Sequence, residues 1–471
     1  MIALSDKDQI LKSREDHVPL YFQEVTEPED DSVRYQLHSK SKCSWLKNDE
    51  KIGVDKFRPR IEPWLTALFQ SEHFSLLIGS GLSHAVYRLA TGSSLPGMGE
   101  AVFKVFNDEI KAASEKSAKE AGRDTWNIED QIRTANELLR GLDHFCPSDA
   151  TFQGAEDWRG DIVLLEFEIK RIMEEFAASI LKGENGLITS EQSGRNNAFS
   201  YLVNFLMSFA SRSGTRDRLQ IFTTNYDRFI EVGAEVAGLH LLDRFVGSLC
   251  PIFRSSRMEI DMHYCPPGIR GEPRFLEGVA RFSKLHGSLD WVYADKDIRR
   301  MGVPLGAEDI SPYLSAPGLG KADPMQLMIY PNAAKDRETS AYPYVELFRD
   351  FAAAVCRPNS TLVTYGYSFG DEHINRVIED MLTIPSTHLV VISRSDPLGR
   401  IMQTYDKLSR PDQITLLIGS HFGDFQTLVD NYLPKSAIDR TTIRMADLLK
   451  SRYGFEQKED KPNPPNSEET S

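Results

Sequence analysis

The stretch Leu76-Leu77-Ile78-Gly79-Ser80-Gly81-Leu82-Ser83 decides the fold. Its first half is an apolar run bounded by glycine, the pattern of a buried strand. Its second half is a glycine turn that opens a helix. A strand feeding such a turn brings backbone N–H groups and a helix N-terminus to one point, where a phosphate can bind. Gly79 and Gly81 permit close backbone approach, and Ser80 and Ser83 carry hydroxyls able to donate to phosphate oxygens. A plain tight βα turn has the same residues. No Lys-Ser or Lys-Thr follows, so the motif is not a P-loop. No third glycine completes Gly-x-Gly-x-x-Gly and no ribose-binding acid stands about 20 residues on, which argues against a dehydrogenase. The next loop, Leu95-Pro96-Gly97-Met98-Gly99, fits either a pocket wall or a surface turn.

Around this stretch the chain alternates strand and helix signals. Strand patterns fall at His73 to Ile78, Leu219 to Thr223, Arg281 to Leu285, Gln326 to Tyr330, Ser360 to Tyr365, His388 to Ser393 and Gln413 to Ile418. Helical patterns cover Phe57 to Phe69, Phe348 to Val355 and the set Ile374, Val377, Ile378, Met381, Leu382. Buried-type strands alternating with helices predict an α/β fold, a Rossmann-like, doubly wound, mostly parallel sheet. Between about 105 and 215 the pattern is helical throughout and reads as an insertion between two core strands. Asn127 and Asp130 have the spacing of a helix cap there, and Leu165, Ile169, Ile172, Met173, Phe176 and Ile180 keep helical periodicity. Three segments result: an N-terminal extension at 1–55 with a short hairpin or docked arm, a catalytic-type domain at 56–435, and a terminal helix and disordered tail at 436–471.

Composition narrows the function classes. The 471 residues carry a formal net charge of -14, which argues against direct nucleic-acid binding through bulk electrostatics. No apolar run approaches the ~18–20 residues of a membrane span. Met1 to Asp8 lacks the features of a signal peptide, so a cytoplasmic protein is expected. Cys43, Cys146, Cys250, Cys265 and Cys356 form no Cys-x-x-Cys pair, and no metal site is expected.

Three further polar motifs each follow an apolar strand. Thr223-Thr224-Asn225-Tyr226-Asp227 follows the second core strand, where ligands bind in open α/β sheets. Asn225 and Asp227 also suit plain helix caps. In Lys284-Leu285-His286-Gly287, the glycine leaves the His286 ring uncrowded, and a histidine can accept a proton near pH 7. A capping or core histidine is the alternative. In Gly366-Tyr367-Ser368-Phe369-Gly370-Asp371-Glu372-His373-Ile374-Asn375, Gly366 and Ser368 suit a ribose or phosphate contact. Asp371 fits a site or a helix start equally, and His373 and Asn375 fit a structural role.

Read in order, the four motifs resemble the sirtuin-like family, and more closely the bacterial sirtuin-like domains of anti-phage defence systems. The resemblance spans about 60 to 430. It implies that Gly79, Ser80, Gly81 and Ser83 bind the NAD phosphates and that Asn225 holds the nicotinamide ribose and the attacking water. It further implies that Asp227, with Thr224 beside it, contacts the carboxamide, that His286 is the catalytic histidine, and that Gly366, Ser368 and Asp371 flank the adenosine half. The chain departs from the classical pattern in two places. Ser94 to Met98 replaces the Gly-Ile-Pro-Asp-Phe-Arg-like loop, and the zinc-binding cysteine pairs are absent, so no zinc is expected. Both departures weigh against protein deacylation and leave NAD cleavage by water. The implied activity is NAD+ hydrolysis to nicotinamide and ADP-ribose in anti-phage defence. A deacylase and a non-catalytic NAD- or ADP-ribose-binding subunit are the alternatives. The implied partners are further copies of the chain, a HerA-family ATPase or another defence-system protein. About 40 residues follow the core, too few for a second nucleotide-sensing domain, which favours activation by assembly or by a protein.

Overall fold

A computed structural model describes residues 8–435, except 28–29, 40, 48, 97–98, 121–125, 147–154, 212–216, 257–260, 265–273, 295, 317, 320–326 and 330–341. The chain divides into two compact units, Met1–Pro434 and Lys435–Ser471. The terminal helix and tail expected at 436–471 lie outside the described residues.

The strands of the first unit, in chain order, begin with β1 Asp8–Lys12, β2 Leu20–Glu27, β3 Asp30–Leu37, β4 Lys51–Ile52, β5 His73–Ile78 and β6 Gln220–Thr223. Next come β7 His240–Leu242, β8 Phe245–Val246, β9 Ile252–Phe253, β10 His263–Tyr264, β11 Arg274–Phe275 and β12 Val279–Lys284. The last are β13 Gly287–Ala294, β14 Asp297–Arg300, β15 Leu327–Ile329, β16 Ser360–Tyr365, β17 His388–Ser393 and β18 Ile414–Ile418.

The main sheet has the order β4-β3-β2-β1-β18-β17-β16-β5-β6-β12-β7. From β18 to β7 every pairing is parallel. The chain winds outward from β5 through β6 on one side, then returns to lay β16, β17 and β18 on the other. This is the doubly wound topology, and its switch point lies between β5 and β16. Along β5 and β16, Leu76, Ile78, Val363 and Tyr365 face one core and Leu77 and Leu362 face the other. That period of two, with both faces buried, explains why these strands are almost wholly apolar.

The first core is covered by α1 Val54–Leu68, α2 Ser80–Thr91, α6 Gln192–Ala210 and α7 Phe229–Ala237. The second is covered by helices Tyr344–Val355, Glu372–Leu382 and Arg400–Leu408. At the N-terminus, β1 pairs antiparallel with β18 and with β2, so β1 to β4 extend the sheet beyond its parallel part.

A third core joins α3 Asn107–Glu120, α4 Ile128–Phe145 and α5 Ala155–Thr189 to a five-stranded antiparallel sheet, β15-β13-β14-β9-β8. Asn127 caps α4 in a reciprocal box: Asp130 N–H donates to Asn127 Oδ1 at 3.1 Å, and Asn127 N–H donates to Asp130 Oδ2 at 3.1 Å. Within the helical stretch, α6 belongs to the main-sheet layer instead, through Leu202, Phe205 and Phe209. The strand expected at Gln326 to Tyr330 is β15, and it pairs with β13, not with the parallel sheet. A short apolar run carries no signature of which sheet receives it.

Candidate functional site

The four motifs emerge at the carboxyl ends of four consecutive parallel strands, β16, β5, β6 and β12. Ligands of open α/β sheets bind at that edge, beside the switch point.

The glycine turn is built against the loop after β16. Gly79 N–H donates to Tyr365 O at 3.0 Å, and Gly81 N–H donates to Gly366 O at 3.1 Å. A Cβ on Gly79 would stand 2.4 Å from Gly366 O, and one on Gly81 would stand 2.5 Å from Gly366 Cα. Gly366 itself has φ +61. The glycines therefore serve first to let two backbone loops touch. The N–H groups of Gly79 and Gly81 are both donated within the protein. Ser80, at the start of α2, is exposed at this turn. Gly97 and Met98 lie outside the described residues.

Asn225 is held by the turn it faces. Its Nδ2 donates to Gly79 O at 3.0 Å and to Ser83 Oγ at 2.9 Å. A carbonyl only accepts, so the amide nitrogen must lie on that side and Oδ1 on the other. Ser83 then donates to Asp227 Oδ2 at 2.7 Å. Ser83 is 2% exposed, and its hydroxyl lies between Asn225 and Asp227. Asp227 Oδ1 accepts from Phe229 N–H at 3.2 Å, so Asp227 steadies α7 and Ser83 together. Thr224 N–H continues the pattern by donating to Ile78 O at 3.2 Å.

His286 lies in the two-residue link between β12 and β13, against the Tyr226 ring at a centroid distance of 6.4 Å. Its Nε2 is 2.7 Å from Asp371 Oδ2, and both side chains are largely buried. The resemblance sets Asp371 beside the adenosine half, with Gly366 and Ser368. Ser368 is exposed on the same loop. Asn375 takes the structural part: its Nδ2 donates to Phe369 O at 2.9 Å, and its Oδ1 accepts from Tyr367 OH at 3.0 Å. His373 packs its ring against Phe348.

Sequence reasoning missed the residues that brace the site from behind. Arg228 is gripped by Glu184 of α5, and it also donates to Val303 O. Lys284 Nζ is buried and donates to Asp227 O at 2.6 Å and to Glu231 Oε1 at 2.8 Å. Burial pushes the Glu231 carboxyl up, and Lys284 draws it back down. Burial also pushes the Tyr226 phenol up, and Glu129 adds to this. Charged residues beside apolar runs look like surface positions in a sequence. Their burial is a product of the third core closing over them.

Among the described residues no group of three or more His, Cys, Asp or Glu is placed to hold a metal ion, and no helix is long and apolar enough to cross a membrane. Residues 219–413 match the family model of the SIR2-like domain. That span is similar to SIR2-like domains and covers less than half of the chain. The matched span contains Asn225, Asp227, His286 and the Gly366 to Asn375 loop, whereas the glycine turn of β5 lies before it. SIR2-like domains are typically NAD-using enzymes, and the likeness of this chain to them rests on that span. No curated protein matches the chain.

Proposed function

We propose that this site hydrolyses NAD+ at the bond between nicotinamide and ribose. The observation that carries the reading is the packing of His286 on Tyr226, the residue between Asn225 and Asp227. It supports the reading by setting a proton acceptor beside the residue that links an oriented amide to a carboxylate, at the carboxyl ends of β6 and β12. In the reaction water adds at ribose C1′ as the C1′–N bond breaks. The bonding pair leaves with nicotinamide, and the water gives up one proton. The products are nicotinamide, ADP-ribose and H+. The transition state has oxocarbenium character, as in glycoside hydrolysis. Catalysis then depends on holding the ribose and water in register and on taking up the proton. Asn225 offers Oδ1 to orient a ribose hydroxyl or the water, and His286 takes the proton. Ser80 and the start of α2 serve the phosphates.

A NAD-consuming enzyme has to be silent until needed. The proposal therefore includes gating in anti-phage defence by self-assembly or by a partner such as a HerA-family ATPase. Support for a route lies in Phe176 of α5, which packs on Tyr226 with ring centroids 5.8 Å apart. The helical layer thus touches the site core directly.

The test is purified protein with NAD+, products read by chromatography, over a range of protein concentrations and with the neighbouring gene product. Nicotinamide and ADP-ribose are expected in equal amounts, and neither from His286→Ala or Asn225→Ala. Full turnover by both variants would overturn the assignment. Release that requires an acyl-lysine peptide would establish a deacylase instead.

A further inference from the structure

The loop after β16 is more elaborate than a nucleotide contact requires. Phe369 sits at φ +55, a left-handed conformation that costs a non-glycine residue about 1 kcal/mol. Tyr367 OH is positioned between Asp371 O, at 3.2 Å, and Asn375 Oδ1, at 3.0 Å, while Asn375 Nδ2 closes the turn on Phe369 O. Both Tyr367 and Phe369 are buried in the second core. The loop is thus pinned at each end of the Tyr367-to-Asn375 span. Asp371 occupies the N-cap position of helix Glu372–Leu382, where an aspartate ordinarily accepts from the first turn. Here its side chain makes no capping bond. It reaches instead to His286, 85 residues away in sequence, at 2.7 Å.

We propose that Asp371 is the positioning residue of His286, and that the Tyr367-to-Asn375 loop exists to deliver its carboxylate to the ring. The inference rests on His286 being the proton acceptor of the proposed reaction. A carboxylate has no proton to give, so the proton between the pair belongs to Nε2. That fixes the tautomer and leaves Nδ1 as the accepting nitrogen. The carboxylate also stabilises the imidazolium once the proton arrives, without taking it. Tyr226 supports the ring from another side, so His286 has one tautomer and one orientation before any ligand binds.

Two readouts test this. The first needs no turnover: 15N-histidine labelling, with the His286 ring signals found by their loss in His286→Gln among the 11 histidines. In the wild-type chain above pH 8 the ring is expected as the Nε2–H tautomer, and in Asp371→Ala as a mixture of both. An unchanged tautomer would overturn the proposal. The second is nicotinamide release by Asp371→Asn, which keeps shape and an acceptor but removes the charge. A fall in kcat of about 100-fold, on the scale of lost general-base assistance, is expected with KM for NAD+ nearly unchanged. A raised KM with unchanged kcat would place Asp371 on the far half of the ligand and overturn the dyad. If the wild-type chain releases no nicotinamide, the NAD reading fails, while the tautomer result still decides the pair.

Discussion

Glu184 and Arg228 form a buried two-oxygen grip between helix α5 and the loop that carries Asn225. Glu184 Oε1 accepts from Arg228 N–H at 2.8 Å and from Nε at 3.1 Å, and Oε2 accepts from Nη2 at 2.5 Å. Glu184 is fully buried. Removing one partner of such a pair leaves a charge stranded in a dry interior, which costs about 3–5 kcal/mol. Glu184→Ala is therefore expected to lower the denaturant midpoint by an amount equivalent to several kcal/mol, and to impair nicotinamide release in whatever fraction stays folded. A variant as stable and active as the wild type would show that the helix does not brace the loop.

Ser83 is the middle of a relay from Asn225 to Asp227. Ser83→Ala removes an acceptor from Asn225 Nδ2 and a donor from Asp227 Oδ2 at once. Leaving buried polar groups unsatisfied costs about 1–3 kcal/mol. The larger expected effect is on turnover, because the Asn225 amide keeps only its bond to Gly79 O. A fall in kcat greater than the rise in KM is the signature. Equal affinity and turnover in Ser83→Ala would mean that Gly79 alone holds the amide.

The glycine turn allows a comparison between space and backbone angle. Gly79 has an ordinary φ of -101, yet a Cβ there meets Gly366 O at 2.4 Å. Gly92 has φ +71 with nothing within 4 Å of a Cβ. Gly92→Ala should cost only the left-handed penalty, about 1 kcal/mol. Gly79→Ala forces two backbone loops apart and should cost clearly more, read as the difference between the two denaturation midpoints. The reverse ranking would show that the two loops separate easily.

Two histidines predict how stability follows pH. Burial holds His388 at about 4, with Lys12 adding to the effect, and burial holds His421 at about 4. Both ordinarily titrate near 6.5 in the unfolded chain. Between those values the unfolded state binds protons that the folded state refuses, so stability rises with pH through the window. Stability is complete above about 6.5 and declines as pH falls toward about 4, by on the order of 3 kcal/mol per histidine. His421→Phe, which keeps an aromatic body among Tyr35, Phe57 and Phe422, should remove roughly half of that dependence. Urea melts at pH 7 and pH 5 for both proteins measure it, and identical slopes would sink the assignment.

Much of the fold was legible because parallel strands buried on both faces leave a strong mark. His73 to Ile78, Ser360 to Tyr365 and His388 to Ser393 are largely apolar runs ended by glycine or small polar residues, and each is a core strand with those bounds. The capping box at Asn127 was legible for the same reason: its chemistry is local. The second sheet was not. Gly287 to Ala294 has buried residues at seven of its eight positions and shows no clean alternation, so nothing in its pattern announced an antiparallel partner. The N-terminal strands showed polar faces and gave no sign of pairing with β18, hundreds of residues away.

The candidate site divides along the same line. Local sequence chose the residue types at the strand ends: glycines where a turn must be tight, Asn225 and Asp227 after β6, His286 after β12, Asp371 after β16. Covalent neighbours and strand periodicity determine such features, and both can be read along the chain. Only the tertiary structure decided what each side chain meets. The β16–β5–β6–β12 order puts Asp371 against His286 rather than on its own helix, turns Ser83 inward to Asp227, and spends two glycine N–H groups on a neighbouring loop. Hydrogen bonds reach only about 3 Å, and which groups come within that reach is set by packing between strands far apart in sequence.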